Sequence, residues 1–527
     1  REIKLWGLAY LRFWIVRTLM AVNPLQLFTG SPIYPLYLRM LGAKIGKGVT
    51  IFSAAVPVAT DLITIGAGTV IRRGSSLSGY HATNGKLQLG RVTLGRNVFI
   101  GGTSTLDINT SMGDGAQLGH SSALHTGQHV PAGQRWHGVP AEPTTTNYQT
   151  VAPIKLSTLR RFLFGLAHLL LGAIVVPIIS AVVVTVLLAI PLVSGYFDPA
   201  QLQLTGARFY LSMAAISAIV LLGFTLLGLL GMVTLPRLLQ PMLRPGRTYR
   251  LYGLRYVVSR LITSLSNSQF FTVIFGDSSL AVGYARALGY KLGEVEQTGS
   301  NFGTETAHDS ALLTSVGRGT MLSDGLSIMN TDYSNSSFTM SRIAIGERNF
   351  MGNNIALPAG AKIGANVLLG TKVMVPIDGP VRENVGLLGS PPFEIPRSVA
   401  RDAQFDHLKT PQELPRRLRK KLRHNLGSMI TFLLLRWVQF AALVALMTVA
   451  AHFYALWGHA SVAVSFVAVL VLNLLLAAFG ERVVLGFRRL RPRFVSIYEP
   501  YFWRHERLWK VLATVPFNGT PFKAMGW

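Results

Sequence analysis

The sequence predicts a mixed membrane-α and all-β fold, in which tandem left-handed parallel β-helices alternate with transmembrane helix hairpins. Three observations predict it: apolar stretches long enough to cross a bilayer, aliphatic residues at every sixth position, and repetition of the whole pattern along the chain. The 527 residues are 50% hydrophobic but only 14% charged, with a net charge of +27. A soluble domain carries about 25% charged residues. Because the basic residues lie beside the apolar stretches, the composition indicates a membrane protein and argues against a nucleic-acid partner. The absence of cysteine excludes disulfides and thiolate chemistry.

Four transmembrane helices are expected from three stretches without Asp, Glu, Lys or Arg. These stretches lie between Arg161 and Asp198, from Phe209 to Pro236, and from Trp437 to Gly480. A spanning helix needs about 20 apolar residues. The third stretch is long enough for two helices, which we expect to turn at Trp457-Gly458-His459, with the first beginning near Met429. The chain therefore contains two hairpins.

Basic residues flank both hairpins and are almost absent from the hairpin tips. By the positive-inside rule, this asymmetry predicts an integral plasma (inner) membrane protein whose β-helices face the cytoplasm. The flanks also attract anionic lipid headgroups. The flanking cations are Lys155, Arg160, Arg161, Arg237, Arg244, Arg247, Arg250, Lys409, Arg416, Arg417, Arg419, Lys420, Lys421, Arg423, Arg482, Arg488, Arg489, Arg491 and Arg493.

The segments outside the apolar stretches show a period of six residues. An aliphatic residue followed by glycine at this period is typical of a parallel β-helix, in which three hexads make one triangular coil of about 18 residues. The aliphatic side chains are expected to fill the prism, and the glycines to allow tight turns. The two series are Leu94, Ile100, Leu106, Met112, Leu118, Leu124 and Val130, and Ile345, Met351, Leu357, Ile363, Leu369 and Val375.

The chain is built from repeats. Residues 5–10 match residues 251–256, and residues 41–46 match residues 288–293. Each repeat is predicted to contain an interfacial helix, a β-helix and a hairpin. The predicted domains are an interfacial amphipathic helix (1–37), a first β-helix (38–150), a first hairpin (160–236), an interfacial helical linker (237–290), a second β-helix (291–400), a second hairpin (428–480) and the start of a truncated third unit (481–527).

Two long motifs carry a family resemblance, residues 112–122 (MGDGAQLGHSS) and residues 375–397, which include LLGSPPFEIPR at 387–397. With them, essentially the whole chain resembles the C-terminal half of membrane non-ribosomal peptide synthetases of the ε-poly-lysine synthetase type. The resemblance implies three tandem acyltransferase-like domains that join aminoacyl units into a homopolymer, preceded by adenylation and carrier domains. Two complete tandem domains and four helices would be present here.

The resemblance also implies the reactants and partners. The donor would be a phosphopantetheine thioester on a separate carrier domain, the acceptor an amino-acid or peptide amine, and ATP would be used only by the adenylation domain. Since hexapeptide acyltransferases are trimers with active sites between prisms, the tandem units would form a pseudo-trimer. Whether the chain also forms a homo-oligomer is left open.

Histidines in the first β-helix are the candidate general bases, because acyltransferases of this fold use a histidine on the outer face of the prism. His120 and His125 flank Leu124, and we expect one of them to take the proton of the attacking amine. With His81 they also resemble the zinc ligands of γ-class carbonic anhydrases, a less favoured alternative. A purely structural role is the third interpretation.

Other candidates follow from the motifs. In the second β-helix, His308-Asp309 could form an acid/base pair. Gly138 and Gly389 lie where the chain leaves each prism, near the pantetheine arm of acetyltransferases, and are candidate donor-site residues, although a structural role is favoured. Two other functions stay open: a stand-alone membrane acyltransferase that modifies a lipid or glycan, and a non-catalytic membrane scaffold.

Overall fold

The computed structural model describes residues 2–514, apart from residues 22–27, 56, 176, 179–180, 183–184, 186–188, 190–205, 297–301, 304, 362, 398–404 and 489–490. The chain divides into two compact units. The first comprises Arg1–Leu169, Val233–Thr272 and Ala281–Ala400, and the second comprises Leu170–Met232, Val273–Leu280 and Arg401–Trp527. The described helices are α1 (Leu8–Ala21), α2 (Ile33–Met40), α3 (Thr158–Leu170), α4 (Ala207–Leu239), α5 (Leu254–Ser266), α6 (Gln269–Phe275), α7 (Ala281–Leu288), α8 (Glu413–His452), α9 (Tyr454–Trp457), α10 (His459–Val484) and α11 (Pro500–Leu512).

The first β-helix consists of three parallel sheets that the chain visits in turn. Phe99 pairs with Gln117 and Thr105 with Ala123, so that strands on one face recur every 18 residues. The first sheet contains Lys44–Ile45, Ile63–Ile65, Val92–Leu94, Thr110–Met112 and His129–Val130. The second sheet contains Thr50–Ile51, Val70–Ile71, Phe99–Ile100, Gln117–Leu118, Arg135–His137 and the antiparallel strand Glu142–Pro143. The third sheet contains Ser76–Leu77, Thr105–Leu106 and Ala123–Leu124. A separate antiparallel sheet contains Glu2–Lys4, Tyr80–Thr83 and Lys86–Leu89.

The second β-helix repeats this arrangement. Its sheets contain Lys291–Leu292, Thr314–Val316 and Ile343–Ile345; Met321–Leu322, Phe350–Met351, Leu368–Leu369, Val385–Leu388 and the antiparallel Phe393–Pro396; and Ala307–His308, Ser327–Ile328 and Ala356–Leu357. Its antiparallel sheet contains Thr248–Arg250, Thr331–Tyr333 and Ser337–Met340. All members of both aliphatic hexad series are buried, as the period predicts.

The glycines after the aliphatic residues have a different role from the one expected. A Cβ at Gly101 would lie 2.5 Å from the backbone of Gly119 in the next coil, and one at Gly95 would lie 2.7 Å from the backbone nitrogen of Asp114. Left-handed backbone at the corners is adopted instead by residues such as Asn97 and Thr103. The hexad glycines are therefore required by the close stacking of coils, and the turns are made by other residues.

Within the described residues, four helices are long and apolar enough to cross a membrane: Thr158–Val175, Ala207–Met242, Glu413–His452 and His459–Val484. The expected turn in the third apolar stretch is present, since α8 ends at His452 and α10 begins at His459. α8 itself begins at Glu413, well before Met429, because the basic residues that precede the apolar segment are good helix formers. The connection at residues 190–205 lies outside the described residues.

The first helix of each later repeat donates hydrogen bonds to a glycine-containing segment of the repeat before it. In the first unit, the Tyr256 hydroxyl of α5 donates to the carbonyl of Gly30 at 2.7 Å. In the second unit, Nζ of Lys510 on α11 donates to the carbonyls of Val273, Ile274 and Gly276 at 2.7, 3.0 and 2.6 Å. These contacts occupy backbone acceptors that lie just before α7 and α2. The predicted continuation of the third repeat at Phe517–Pro521 lies outside the described residues.

Candidate active site between the two β-helices

The candidate site lies where the two β-helices meet, and two consecutive arginines of the first one form its centre. Arg72 and Arg73 directly follow the buried strand Val70–Ile71. The guanidinium of Arg72 contacts Oδ1 of Asp332 at 2.5 Å and donates to the carbonyl of Thr331 at 2.6 Å. Only 3% of the Arg72 side chain is exposed. A buried ion pair of this kind fixes the position of one β-helix against the other.

Arg73 makes the parallel contact to another carboxylate. Its Nη1 lies 3.2 Å from Oδ1 of Asp309, and its Nη2 donates to the hydroxyl of Ser327 at 3.2 Å. Oδ2 of Asp309 accepts the backbone N–H of Thr331 at 3.0 Å. The carboxylate of Asp309 is thus held by Arg73 and Thr331. Neither of these contacts involves the ring of His308, the predicted partner of Asp309.

His120 is buried at this junction, although the sequence predicted it on the outer surface of the prism. It is 5% exposed, and its ring packs edge-on against Phe99 and Tyr148. Its Nδ1 accepts the backbone N–H of Gly102 at 2.8 Å. A neutral imidazole whose Nδ1 accepts carries its proton on Nε2. His120 is therefore arranged to donate a hydrogen bond from Nε2.

The charge state of His120 follows from its surroundings. Burial lowers the pKa of His120 to about 3, and the nearby charge of Arg72 contributes to the same shift. The adjacent ring of Tyr148 is held by its hydroxyl, which lies 2.6 Å from Nδ1 of His137. Burial also lowers the pKa of His137. His120 is thus a neutral, fixed imidazole at physiological pH.

His308 is the second buried histidine of the junction. Asn267 holds its backbone on both sides, accepting from the His308 N–H at 2.9 Å and donating to its carbonyl at 2.7 Å. The ring packs edge-on against Tyr290. Burial, followed by the charge of Arg73, lowers the pKa of His308 to about 3. Within the described residues, its Nε2 is buried without a hydrogen-bond partner. An unsatisfied buried nitrogen calls for an explanation, and a polar substrate group would provide one.

The other candidate histidines lie on an exposed edge of the first β-helix. Nδ1 of His81 is 3.2 Å from the carboxylate of Asp107, which also accepts from the hydroxyl of Thr126. His125, the neighbour of Thr126, is exposed. The structure thus brings His81 and His125 to one edge and His120 and His308 to the junction. Among the described residues, no three His, Cys, Asp or Glu side chains gather as a metal site.

The two predicted donor-site glycines belong to loops that pack on each other. The N–H of Val139 donates to the carbonyl of Ser390 at 2.6 Å. Gly138 has a φ of +103°, and a Cβ there would lie 2.5 Å from the ring of Pro391. Gly389 also has positive φ, at +85°. Close contact between the loops and the positive φ values account for glycine at both positions.

Sequence reasoning missed the groups that join the two β-helices: Arg72, Arg73, Asp332 and Tyr148. The pair Arg72-Arg73 carried a usable signal, because two cations directly follow an inward aliphatic strand where most coils place glycine or small residues. Asp332 carried none, since its partner lies 260 residues away.

Comparison with known proteins finds similarity in sequence to a poly-amino-acid synthetase. No family model matches the chain. The chain is 25% identical over 521 residues to the delta-poly-L-ornithine synthetase of Acinetobacter baumannii, covering 97% of this chain and 38% of that protein. The chain thus spans about two fifths of the length of this relative.

Solved structures with similarity to the chain include three acetyltransferases. A hexapeptide-repeat acetyltransferase of Vibrio cholerae is 14% identical, with 26% of this chain and 92% of that chain covered and a TM-score of 0.21. A maltose O-acetyltransferase of Clostridium difficile is 14% identical (27% and 91% covered, TM-score 0.22). A galactoside acetyltransferase in complex with coenzyme A is 15% identical (30% and 92% covered, TM-score 0.23).

Proposed function

We propose that this chain is the membrane-bound acyl-transfer part of a non-ribosomal peptide synthetase that builds an amino-acid homopolymer. One observation carries the proposal: similarity to a delta-poly-L-ornithine synthetase runs through 97% of the chain, and so through both β-helices and all four apolar helices. As parts of the same proposal, the coils of both β-helices are left-handed, the four apolar helices span the membrane, and the β-helices lie in the cytoplasm. Adenylation and carrier domains are the proposed partners.

The proposed reaction transfers an aminoacyl group from sulfur to nitrogen. The free amine of the acceptor attacks the thioester carbonyl, a C–N bond forms, and the C–S bond breaks. The nitrogen loses one proton, and the departing thiolate gains one. The amine must be deprotonated before it attacks, and the carbonyl oxygen becomes negatively charged in the tetrahedral intermediate. The protein therefore has to position an amine and stabilise an oxyanion.

We assign these two tasks to the two histidines of the junction. His308 offers an unpartnered Nε2, which would accept a hydrogen bond from the attacking amine and so orient it toward the thioester carbonyl. His120 carries its proton on Nε2 because Nδ1 accepts from Gly102, and would donate to the oxyanion. A water-poor site strengthens both interactions. The general base predicted at His120 or His125 stays a prediction, and His308 is proposed to position the amine.

The proposed donor is a phosphopantetheine thioester on a separate carrier domain, which supplies the activated acyl group on a flexible arm. ATP would be consumed only when the adenylation domain loads the carrier. Gly138 and Gly389 stay proposals for the donor entrance, since the loops that contain them meet at the same junction. We propose no metal ion for the reaction.

A direct assay tests this function with the chain alone in detergent. Aminoacyl-pantetheine is supplied with a free amino acid, thiol release is followed by a colorimetric reagent, and the amide product is identified by mass spectrometry. His308→Gln is expected to reduce the rate by about 10², the usual cost of misplacing a reacting group. His129→Gln is the matched control, because His129 is an exposed histidine of the first β-helix.

The outcomes separate the alternatives. Loss of activity in His81→Gln and His125→Gln but not in His308→Gln would move the chemistry to the exposed edge. Thiol release only with a lipid or glycan acceptor would favour the stand-alone acyltransferase. A chain that binds its partner domains but releases no thiol under any condition would be a scaffold.

A further inference from the structure

A basic cavity lies where the chain leaves the first β-helix and enters α3. It has a volume of about 580 Å³ and is lined by Lys155, Leu156, Ser157, Arg160 and Arg250. The three cationic side chains are exposed, and the described lining contains no carboxylate. Three like charges around one concave surface repel one another unless an anion lies between them.

The backbone that carries these cations is held in place. The hydroxyl of Ser157 accepts the N–H of Arg160 at 3.2 Å, which caps the start of α3. Arg250 ends a strand that is paired with Ser337–Met340. The neighbouring Arg161 is directed elsewhere, since it donates to the carbonyl of Asn335 at 3.0 Å. The cavity is therefore formed by ordered segments, and its three cations have no ion pair within the part of the chain that the structure describes.

Apolar surface begins immediately beside the cavity. On α3, Leu159 and Phe162 are each 64% exposed. On α5, which starts four residues after Arg250, Leu254 is 69% exposed and Val257 is 44% exposed. The ring of Phe164 on α3 lies 5.2 Å from that of Tyr252, so the two apolar faces belong to one packed region of the first unit. Cationic and apolar surfaces thus adjoin each other over a short distance.

We propose that this cavity binds the phosphodiester headgroup of an anionic phospholipid, with the acyl chains lying against the exposed residues of α3 and α5. The inference rests on the proposed membrane placement. Charge complementarity favours a lipid with net negative charge over a zwitterionic one, because each cation near an anionic headgroup contributes attraction that a choline group would oppose. The adjoining apolar surface favours a lipid over free phosphate.

The test uses the full chain in neutral detergent and needs no substrate. Native mass spectrometry counts bound phosphatidylglycerol and phosphatidylcholine, and thermal unfolding is measured with each lipid and with inorganic phosphate alone. The triple variant Lys155→Gln/Arg160→Gln/Arg250→Gln is expected to bind phosphatidylglycerol about a hundredfold more weakly. The matched control is Lys47→Gln/Arg91→Gln/Arg96→Gln, which removes the same charge from exposed positions of the first β-helix. It is expected to bind as the unsubstituted chain does.

Other outcomes overturn the inference. Equal retention of the two lipids would do so, as would equal loss in the control variant. A thermal shift with inorganic phosphate that phosphatidylglycerol does not exceed would assign the cavity to a soluble phosphate group. A failure of the proposed membrane placement can be told apart from a failure of the lipid site. In that case the chain would stay soluble without detergent. Both triple variants are checked for folding by unfolding in the absence of lipid.

Discussion

Arg72 is a single side chain whose buried ion pair joins the two β-helices. Its guanidinium neutralises Asp332, which also accepts from the hydroxyl of Thr150 and from the N–H of Tyr333 at 2.9 Å. All of these groups lie at the boundary of two β-helices that are far apart in sequence. Loss of one charge here leaves the other buried without a counter-charge.

Arg72→Met is therefore expected to lower the free energy of unfolding by about 3–5 kcal/mol, the usual cost of breaking a buried ion pair from one side. Denaturant titration in detergent, followed by tryptophan fluorescence, measures it. The control Arg91→Met removes an exposed arginine and is expected to change stability by less than about 0.5 kcal/mol. Equal effects of the two substitutions would contradict a dominant role for the Arg72–Asp332 pair.

The buried histidines predict how stability depends on pH. Folding lowers the pKa of His308 from its ordinary 6.5 to about 3, so below pH 6.5 the unfolded chain binds a proton that the folded chain does not. Stability from this group is present above pH 6.5 and is lost as the pH falls toward 3, by about 1.4 kcal/mol per pH unit. His308→Gln should flatten that dependence in denaturant titrations between pH 6.5 and 4.5. An unchanged slope would mean that His308 is accessible to protons when folded.

Residue roles were only partly predictable from sequence. The hexad period identified Leu118 and Leu124 as interior residues, because an aliphatic side chain at a fixed register can point only into the prism. The same register put His120 on the outer face, and it is buried at a corner where the carbonyl of Ser121 accepts from the hydroxyl of Ser390 in the second β-helix. A period describes one prism and contains no information about which faces of two prisms meet.

Among the elements, α11 is anchored by buried charges of the second unit. Lys421 on α8 lies 2.8 Å from the carboxylate of Glu506, and both side chains are almost fully buried. Lys510, one turn further along α11, donates to three backbone carbonyls at the C-terminal end of α6. Burial raises the pKa of Glu506 to about 7 and lowers that of Lys510 to about 8. The helix is thus held by polar contacts that respond to pH.

Glu506 contributes in the opposite sense to His308. Its folded pKa is raised above the ordinary 4.5, so its contribution to stability is fully present below pH 4.5 and is lost as the pH rises toward 7. Glu506→Gln should remove this decline. The measurement is the unfolding temperature of the variant minus that of the unsubstituted chain, which we expect to be larger at pH 7 than at pH 5. Glu413→Gln, a partly exposed glutamate of α8, is the control. If this temperature difference is the same at both pH values, Glu506 does not lose a proton in the folded chain between pH 5 and pH 7, contrary to the prediction.

Elements were more predictable than their ends. The strands followed from hexads and the four apolar helices from charge-free stretches, because both patterns are set by local burial. The start of α8 at Glu413 was missed, since the apolar segment marks where a membrane could begin and not where the helix begins. Lys510 could not be assigned from sequence, because its acceptors lie more than 230 residues earlier.

At the scale of the first unit, the two β-helices are expected to behave as one body, and this can be tested by cross-linking. The N–H of Val139 donates to the carbonyl of Ser390 at 2.6 Å, which keeps the two Cα atoms within the range that a disulfide requires. The chain has no cysteine of its own. Oxidised Val139→Cys/Ser390→Cys is expected to lose both free thiols to maleimide titration, whereas each single variant keeps one. Two thiols that stay free in the oxidised double variant would show that the loops separate in solution.

The contacts of Tyr256 and Lys510 have a consequence for biosynthesis. In these two cases a glycine-containing segment accepts hydrogen bonds from a helix of the repeat that follows it, so these contacts can form only after that helix has been translated. A nascent chain that has not yet reached Tyr256 leaves the carbonyl of Gly30 without that donor. We therefore expect each newly translated helix to complete contacts of the repeat translated before it.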